Sequence, residues 1–289
     1  MLRMRNLILS LMLVMLLLTS TASADGMWRL DGLDKSEVRN FRITSSNTSA
    51  SAQLSERSFP LLFDVIKKET LSKTPIYIID LRQESHGFAN GVPVSWYEEH
   101  NHANIGKSAA EIQQDEVNRL QSILGKMTEF VPLGKHDEAN LNKMTMIVEN
   151  VKNEKYVAEN AGFKYVRFSA TDQVFPEAKT VDEFINFCLN LPKNHWLHFH
   201  CHAGHGRTTT FSVFYDILKY PDLSLEEIVN RQYLQGGTNL LSISNGDDWY
   251  AEQHNYRANK LRQFYEYVQK NRDSKFKVSW IEWSNKFSE

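Results

Sequence analysis

The most informative segment of the sequence is His200-Cys-His-Ala-Gly-His-Gly-Arg-Thr208. It follows the apolar run Trp196-Leu-His-Phe-His200, which predicts a buried strand, and a helical pattern begins near Thr208. A cysteine and an arginine with five residues between them, two of which are glycines, predict a compact loop whose backbone N–H groups converge on one centre. Gly204 and Gly206 allow the positive φ angles and close approach that such a loop requires. The segment therefore predicts an anion-binding loop between a strand and a helix.

The side chains of this loop predict a catalytic cysteine. The helix that follows presents free N–H donors to the loop centre, and the planar fork of Arg207 matches two phosphate oxygens. The same positive field favours the ionised thiolate of Cys201. Thr208 could donate its hydroxyl to that sulfur, and His200 could orient the loop by hydrogen bonds. The other residues of the loop would surround a bound phosphate: His202, Ala203, Gly204, His205 and Gly206.

The loop also allows two other interpretations. A cysteine separated from an arginine by five residues is, taken alone, more often structural than catalytic. His198, His200 and His202 alternate as the metal ligands of a strand could, but zinc sites usually recruit more than one element and a metal would quench the thiolate. We therefore predict no metal site. The second cysteine, Cys188, is expected to be an inert buried thiol that does not pair with Cys201.

Strands and helices alternate along the rest of the chain, which predicts an α/β layer fold with a mostly parallel central sheet flanked by helices. The predicted strands are 75–81, 129–133, 144–151, 164–168 and 196–200. Capping patterns predict helices that begin at Ser108, Thr180 and Ser224, and a long final helix covers 249–271. The Ser/Thr-rich stretch 44–56 predicts a polar loop in an N-terminal segment, residues 25–58, ahead of a domain at 59–289.

Residues 1–24 are typical of a secretory signal peptide. Arg3 and Arg5 precede a 12-residue apolar stretch, and Ala22-x-Ala24 predicts cleavage after Ala24. An uncleaved anchor is the alternative, although about 20 residues are needed to span a bilayer. We expect a periplasmic or secreted protein with no membrane insertion after cleavage.

The composition also narrows the class of protein. Hydrophobic residues make up 42% of the 289 residues, which is typical of a folded chain with a buried core. Without residues 1–24 the chain has 31 basic and 35 acidic residues, a formal charge of −4. A nucleic-acid partner is therefore not expected. The sequence gives no prediction of the oligomeric state.

The chain resembles cysteine-dependent phosphatases with the tyrosine-phosphatase fold, and more narrowly the bacterial phytase-like myo-inositol polyphosphate phosphatases. The resemblance covers most of residues 39–285. It rests on the following stretches: His200–Thr208, Asp80-Leu-Arg-Gln-Glu-Ser-His-Gly87, Pro93-Val-Ser-Trp-Tyr97, Leu133-Gly-Lys-His136 and Ala170-Thr-Asp172 with Pro176. It implies a phosphatase core with a small partial β-barrel subdomain to which residues 125–168 contribute, and hydrolysis of inositol phosphates through a phosphocysteine without a cofactor.

The resemblance also implies a general acid. Asp172 lies 29 residues before Cys201 in a polar loop ended by Pro176, where the family carries its acid. Expulsion of an inositol alkoxide requires a proton. Because the acid must be protonated while the cysteine is ionised, we expect a bell-shaped pH profile with an acidic optimum.

Arg42, Lys135 and His136 lie on motif positions that match the family's phosphate contacts at the pocket rim, and Gln173, next to the acid, is a further candidate substrate contact. Some relatives carry a histidine where this chain has Gln173, and lysines and a tyrosine where it has Gly246, Tyr250 and His254. These departures leave the preferred inositol phosphate open. Two alternatives also stay open at this point, a protein tyrosine or dual-specificity phosphatase and a non-catalytic inositol-phosphate-binding module.

Overall fold

The computed structural model of the chain describes residues 26–45, 47–133 and 142–287. The predicted signal peptide, residues 1–24, lies outside them. The strands are β1 (Met27–Leu30), β2 (Arg42–Ser45), β3 (Thr48–Ser51), β4 (Ile76–Arg82), β5 (His86–Ala89), β6 (Val92–Tyr97), β7 (Met127–Phe130), β8 (Met144–Ile147), β9 (Val151–Lys152), β10 (Lys164–Ala170) and β11 (Trp196–His200). The helices are α1 (Ser58–Lys68), α2 (Ala109–Ile123), α3 (Glu154–Asn160), α4 (Ala178–Leu189), α5 (Gly206–Lys219), α6 (Leu225–Leu234), α7 (Trp249–Asn271) and α8 (Trp280–Ser284).

The main sheet has five strands in the order β10-β4-β11-β3-β2. The first four strands run parallel to one another, and β2 is antiparallel to β3. In β4, Ile76 and Ile78 pack on one face of the sheet, and Ile79 and Leu81 pack on the other. Both faces are therefore covered, which explains why this strand is a nearly continuous apolar run. The α/β fold with a mostly parallel sheet is confirmed.

The predicted polar loop over residues 44–56 is wrong, because β3 lies inside the main sheet beside β11. All four residues of β3 are buried. The hydroxyl of Ser49 lies 2.9 Å from Nδ1 of His198, and that of Ser51 lies 2.9 Å from Nε2 of the same ring. These contacts offset the cost of burying polar side chains. Since β1, β2 and β3 pair within the two sheets, the described residues before position 59 belong to the fold and are not a separate leading segment.

A second, smaller sheet has the order β1-β6-β5-β9, and its strands are antiparallel. The hairpin of β7 and β8 adjoins it through backbone hydrogen bonds between Val131 and β1. The predicted range 125–168 is therefore only partly right. β7, β8 and β9 do lie in this region, but β10 belongs to the main sheet and β1, β5 and β6 come from earlier in the chain.

Helices cover both faces of the main sheet. On one face α4, α5, α7 and α8 enclose an aromatic core that includes Phe184, Phe211 and Phe264. On the other face α1 packs through Phe59, Leu62 and Ile66. No helix in the described ranges has both the length and the apolar character needed to cross a membrane.

The predicted helix starts are right in two cases out of three. Ser108 and Ser224 each cap a helix, and each accepts a hydrogen bond from the backbone N–H three residues on. Thr180 does not cap α4, because this helix already begins at Ala178. The long helix predicted as the last one spans Trp249–Asn271, which matches the predicted range, but the short helix α8 follows it.

Candidate active site

The cysteine loop lies at the carboxyl ends of two adjacent parallel strands of the main sheet. β11 ends at His200, Cys201 follows it, and α5 begins at Gly206, two residues before the predicted start. The neighbouring strand β4 ends at Arg82, so the polar residues that follow it face the same edge. Cys201 is 3% exposed. Parallel α/β sheets place their ligand sites at this edge.

The outer side of the loop is held by donors from the N-terminal part of the chain. Nδ2 of Asn40 donates to the carbonyl oxygens of Ala203 and Gly204, at 3.3 and 3.1 Å. Nη2 of Arg42 donates to the oxygen of Gly204 at 2.8 Å, and the backbone N–H of Gln53 donates to His202 at 3.0 Å. Since a planar peptide places its C=O and N–H on opposite sides, these contacts direct the loop amides inward.

Gly204 is the position where the loop requires a glycine. Its φ is +74°, and a Cβ there would lie 2.6 Å from backbone atoms of Ser51 and Ala52. Gly206 has a different constraint. It opens α5 without a positive φ, and a Cβ there would lie 2.9 Å from Nη1 of Arg257. The loop therefore packs directly on β3, and the guanidinium of Arg257 lies against the start of α5.

Arg207 is fixed on several sides. Its Nη1 donates to Oε2 of Glu84 at 2.6 Å, and its Nη2 donates to Oε1 of Glu84 at 3.1 Å. Its Nε lies 3.2 Å from Oδ1 of Asp172. Burial alone would lower the pKa of Arg207, but the charges of Asp172, Glu84 and Cys201 hold that pKa well above its ordinary value. The guanidinium is thus a permanent, oriented cation beside the loop.

Glu84 is the centre of a buried charged network. Besides Arg207, its Oε1 accepts from Nε of Arg82 at 2.8 Å. Arg82 in turn donates from Nη1 to Oδ2 of Asp31 at 2.9 Å, and Nε2 of His202 lies 3.2 Å from Oδ1 of Asp31. Burial opposes ionisation of Glu84, yet Arg207 and Arg82 hold its pKa well below the ordinary value. The network links the loop to the end of β4.

Asp172 lies on the loop that follows β10. Its Oδ1 faces Arg207, and its Oδ2 accepts from Nδ2 of Asn101 at 3.1 Å. Nε2 of His102 lies 3.0 Å from the backbone oxygen of Asp172. Gln173, the next residue, has a φ of +68° and is exposed. The candidate acid is therefore brought to the same arginine as the candidate nucleophile.

The three histidines considered as metal ligands do not converge. The two ring nitrogens of His198 contact Ser49 and Ser51, and burial holds its pKa well below the ordinary value. His200 pairs with Glu154, Nε2 to Oε1 at 2.7 Å, whereas His202 pairs with Asp31. Their separate partners argue against a metal site made of these three residues.

Asp80, His86 and Glu154 have side-chain ligand atoms within 4.8 Å of one another and could in principle hold a small cation. However, Oδ2 of Asp80 already accepts from the Tyr165 hydroxyl at 2.6 Å and lies 3.2 Å from Nε of Arg167. Burial alone would lower the pKa of His86, but Asp80 and Glu116 raise it to about 10. The protonated side chains of His86 and Arg167 thus supply the positive charge that balances the carboxylates of this cluster.

The remaining predicted site residues take different positions. Thr208 is fully buried, and its hydroxyl has no hydrogen-bond partner in the described part of the chain. His205 contacts Asn40 at 3.4 Å.

Arg42 was expected at the pocket rim, but it is 7% exposed and supports the loop from outside. Burial lowers its pKa to about 10, an effect that the charge of Cys201 partly offsets. Lys135 and His136 lie outside the described residues.

Several residues of this site have no role predicted from the sequence. These are Asp31, Asn40, Glu84, Asn101, His102 and Arg257. Glu84 lies in a polar run directly after an apolar strand, which is a usable signal because the carboxyl ends of parallel strands meet. The asparagines carry no comparable signal, since a turn asparagine is common in any loop.

Comparisons with known proteins agree with this geometry. A family model for PTP-like phytases, described by the words inositol hexakisphosphate, matches residues 79–219. The tandemly repeated PTP-like phytase of Mitsuokella multacida is 38% identical with a TM-score of 0.83, over 89% of this chain and 48% of that one. The PTP-like phytase of Bdellovibrio bacteriovorus is 31% identical with a TM-score of 0.76, over 90% of this chain and 95% of that one.

A third relative is the effector protein hopD2 of Pseudomonas syringae pv. tomato, 29% identical over 76% of this chain and 48% of its own length. The chain therefore spans about half the length of the first relatives that it matches. The site thus has a cysteine loop between a parallel strand and a helix, with an arginine at the end of the loop. The chain belongs to the PTP-like phytase family.

Proposed function

We propose that this chain is a phosphomonoester hydrolase that removes phosphates from myo-inositol polyphosphates through a phosphocysteine intermediate. The observation that carries the proposal is the guanidinium of Arg207, which is bound by Glu84 on one side and lies 3.2 Å from Asp172 on another. It stands at the start of the helix that follows Cys201. The guanidinium of Arg207 therefore lies close to the proposed nucleophile Cys201, to the loop that would bind phosphate, and to the proposed acid Asp172.

In the first step, the sulfur of Cys201 attacks phosphorus in line with the ester oxygen. The S–P bond forms as the P–O bond to the inositol breaks, and Asp172 transfers its proton to the departing oxygen. Arg207 and the loop amides stabilise the negative charge on the equatorial oxygens. The products are a phosphocysteine, an ionised Asp172 and a free inositol hydroxyl.

In the second step, Asp172 accepts a proton from water as the water oxygen attacks phosphorus. The P–S bond breaks, inorganic phosphate leaves, and Cys201 returns to the thiolate. The buried hydroxyl of Thr208, which has no other partner among the described residues, is placed seven residues after the nucleophile and would donate to the departing sulfur. This cycle regenerates both catalytic groups and requires no cofactor.

The family supports a polyphosphorylated inositol as the substrate. The PTP-like myo-inositol phosphatase of Mitsuokella multacida has been solved in complex with myo-inositol-(1,3,4,5)-tetrakisphosphate, and 37% of its aligned residues are identical to this chain. Positive charge for the distal phosphates would come from Lys135, His136, His205 and Arg257. Gln173, exposed beside the acid, would contact the inositol ring or its substituents.

The test is phosphate release by purified residues 25–289 from inositol hexakisphosphate, with and without a chelator, beside a phosphotyrosine peptide. We expect turnover of the inositol phosphate, insensitive to chelation, and abolished in Cys201→Ser. Faster turnover of the peptide would favour a protein phosphatase instead. Binding of inositol hexakisphosphate without phosphate release by the wild type would show a non-catalytic binding module.

We also propose that the protein acts in the periplasm or outside the cell, after removal of residues 1–24. The basic start, the 12-residue apolar stretch and the Ala22-x-Ala24 pattern support this location. Expression of the full chain in a Gram-negative host, followed by fractionation and N-terminal sequencing, tests it. A mature N-terminus at Asp25 in the periplasmic fraction is expected, and an uncleaved chain in the membrane fraction would contradict it.

A further inference from the structure

The segment that connects β6 to α2 contacts the loop that carries Asp172. Within it, Glu99–Asn101 forms a short 3-10 turn in which His100 and Asn101 have φ angles of +55° and +67°. Left-handed backbone is uncommon for residues other than glycine, and asparagine tolerates it better than most. The turn places Asn101, which is 3% exposed, with its amide nitrogen 3.1 Å from Oδ2 of Asp172.

We infer that Asn101 is a positioning residue for the general acid, with His102 as its backbone anchor. The amide of Asn101 fixes one carboxylate oxygen of Asp172, while Arg207 lies 3.2 Å from the other. A carbonyl oxygen only accepts, so Nε2 of His102 must carry the proton that it shares with the backbone oxygen of Asp172. The carboxyl group and the backbone of the acid are therefore both held by this turn.

The turn is itself fixed by the first residues of α7. The ring of His100 stacks on Trp249, with centroids 4.4 Å apart and an angle of 29° between the planes. Nδ1 of His100 lies 3.2 Å from the hydroxyl of Tyr250. Three separate elements thus meet at the acid: the turn, the acid loop and the start of α7. A small displacement of a proton donor lowers the reaction rate by a large factor. The contacts that hold Asp172 in place should therefore affect the rate.

The inference rests on the proposed function, in which Asp172 protonates the leaving oxygen. It goes further, because it states that the side-chain amide of Asn101, on a different element, holds the acid in position. If so, the loss of rate in an Asn101 variant should depend on the leaving group of the substrate. An inositol alkoxide needs the proton, whereas 4-nitrophenolate is a stable anion that departs with little proton transfer.

The experiment measures kcat of Asn101→Ala on inositol hexakisphosphate and on 4-nitrophenyl phosphate. We expect kcat on the inositol phosphate to fall by about 10- to 100-fold, and kcat on the aryl phosphate to stay within about threefold of wild type. Asp172→Asn should show the same pattern with a larger loss. The ratio of the two rates within one variant does not depend on the fraction of folded enzyme, so partial misfolding cannot imitate the result.

Asn104→Ala is the matched control. Asn104 is a buried asparagine of the same segment, but its amide donates to Gln83 and Ser85 rather than to the acid. It should leave the ratio of the two rates unchanged. Equal losses on both substrates in Asn101→Ala, or no loss on either, would overturn the inference. Wild-type activity on the aryl phosphate alone would instead contradict the proposed function.

Asn101→Asp supplies a second readout. It places a carboxylate about 3 Å from that of Asp172, and two close carboxylates share a proton at higher pH. In the described part of the chain, the charged or titratable groups that interact with Asp172 include Arg207 from α5, Arg257 from α7, Tyr97 from β6 and His102. Because none of these changes in the variant, the alkaline limb of its pH–rate profile should move up by about one pH unit or more. An unmoved limb would contradict the contact.

Discussion

Glu84 binds Arg207 through two hydrogen bonds, Oε2 to Nη1 at 2.6 Å and Oε1 to Nη2 at 3.1 Å. Both side chains are buried, and the pair joins the end of β4 to the start of α5. Two parallel bonds fix the plane of the guanidinium as well as its position. The orientation of the cation that would meet phosphate is therefore set by a carboxylate that does not itself bind phosphate.

Glu84→Gln should therefore damage both activity and stability. The substitution keeps the shape but leaves Arg207 and Arg82 short of a negative charge in a buried site. Breaking a buried ion pair costs about 3–5 kcal/mol, and kcat/KM should fall by about 100-fold as Arg207 loses its orientation. Urea unfolding and steady-state kinetics measure the two effects. Glu226→Gln, which removes a surface pair with Arg262, should change stability by less than about 1 kcal/mol. Similar small effects in both variants would disprove the role of Glu84.

Two glycines with similar φ angles separate backbone strain from steric overlap. Gly204 has a φ of +74° and close backbone neighbours, whereas Gly106 has a φ of +79° and no atom within 4 Å of the point where a Cβ would lie. Gly106→Ala should cost about 1 kcal/mol of stability, from the left-handed backbone alone, and leave activity intact. Gly204→Ala should cost several times as much and abolish turnover. Equal costs in thermal unfolding would show that the contact with β3 is not important.

The pKa of His86 predicts how stability varies with pH. This pKa is raised from an ordinary value of 6.5 to about 10. The stabilisation from the protonated ring is therefore complete below about pH 6.5 and is lost as the pH rises toward 10. The unfolding free energy should fall across this range by up to about 1.4 kcal/mol per pH unit.

His86→Gln should flatten that decline. His195→Gln is the control, because burial lowers the pKa of this half-buried histidine instead of raising it. Urea unfolding of the wild type and both variants between pH 6 and 9 makes the comparison. A wild-type stability that does not change over this range would refute the assignment of a charged His86.

The two cysteines should react differently. Burial raises the pKa of the Cys188 thiol well above its ordinary value, so this residue stays protonated at neutral pH. Cys201 lies beside Arg207 and the start of α5. Iodoacetamide at pH 6 should therefore label Cys201 and inactivate the enzyme, with phosphate protecting against both. A peptide map showing labelled Cys188 first, or a disulfide between the two residues, would contradict this prediction.

The parts of the molecule that could be predicted from the sequence are those that depend on local pattern. β11, the cysteine loop and α5 follow one another directly, so the strand period, the glycines and the helix start are all visible in about twenty consecutive residues. Cys201 and Arg207 are predicted in this way, and Asp172 by resemblance. The capping patterns at Ser108 and Ser224 are equally local.

The parts that could not be predicted depend on partners far away in the chain. Small polar residues in β3 resemble a loop until His198, about 150 positions later, satisfies their hydroxyls. Asn40 and Asn101 acquire their roles only from the carbonyl of Gly204 and the carboxylate of Asp172. Thr180 has the sequence of a helix cap, but α4 begins two residues earlier. Arg42 has the charge of a rim cation, yet its position beside β3 directs it to the back of the loop.

The position of β3 between β2 and β11 limits how far the N-terminus can be truncated for biochemical work. A fragment that starts at residue 59 would retain all the side chains that take part in the proposed reaction. It would nonetheless uncover one whole edge of the strand that delivers Cys201, and the carbonyls on the outside of the loop would lose Asn40, Arg42 and Gln53 together. If such a fragment were inactive, the cause would be the loss of these supporting contacts, and the result would not test the proposed catalytic residues.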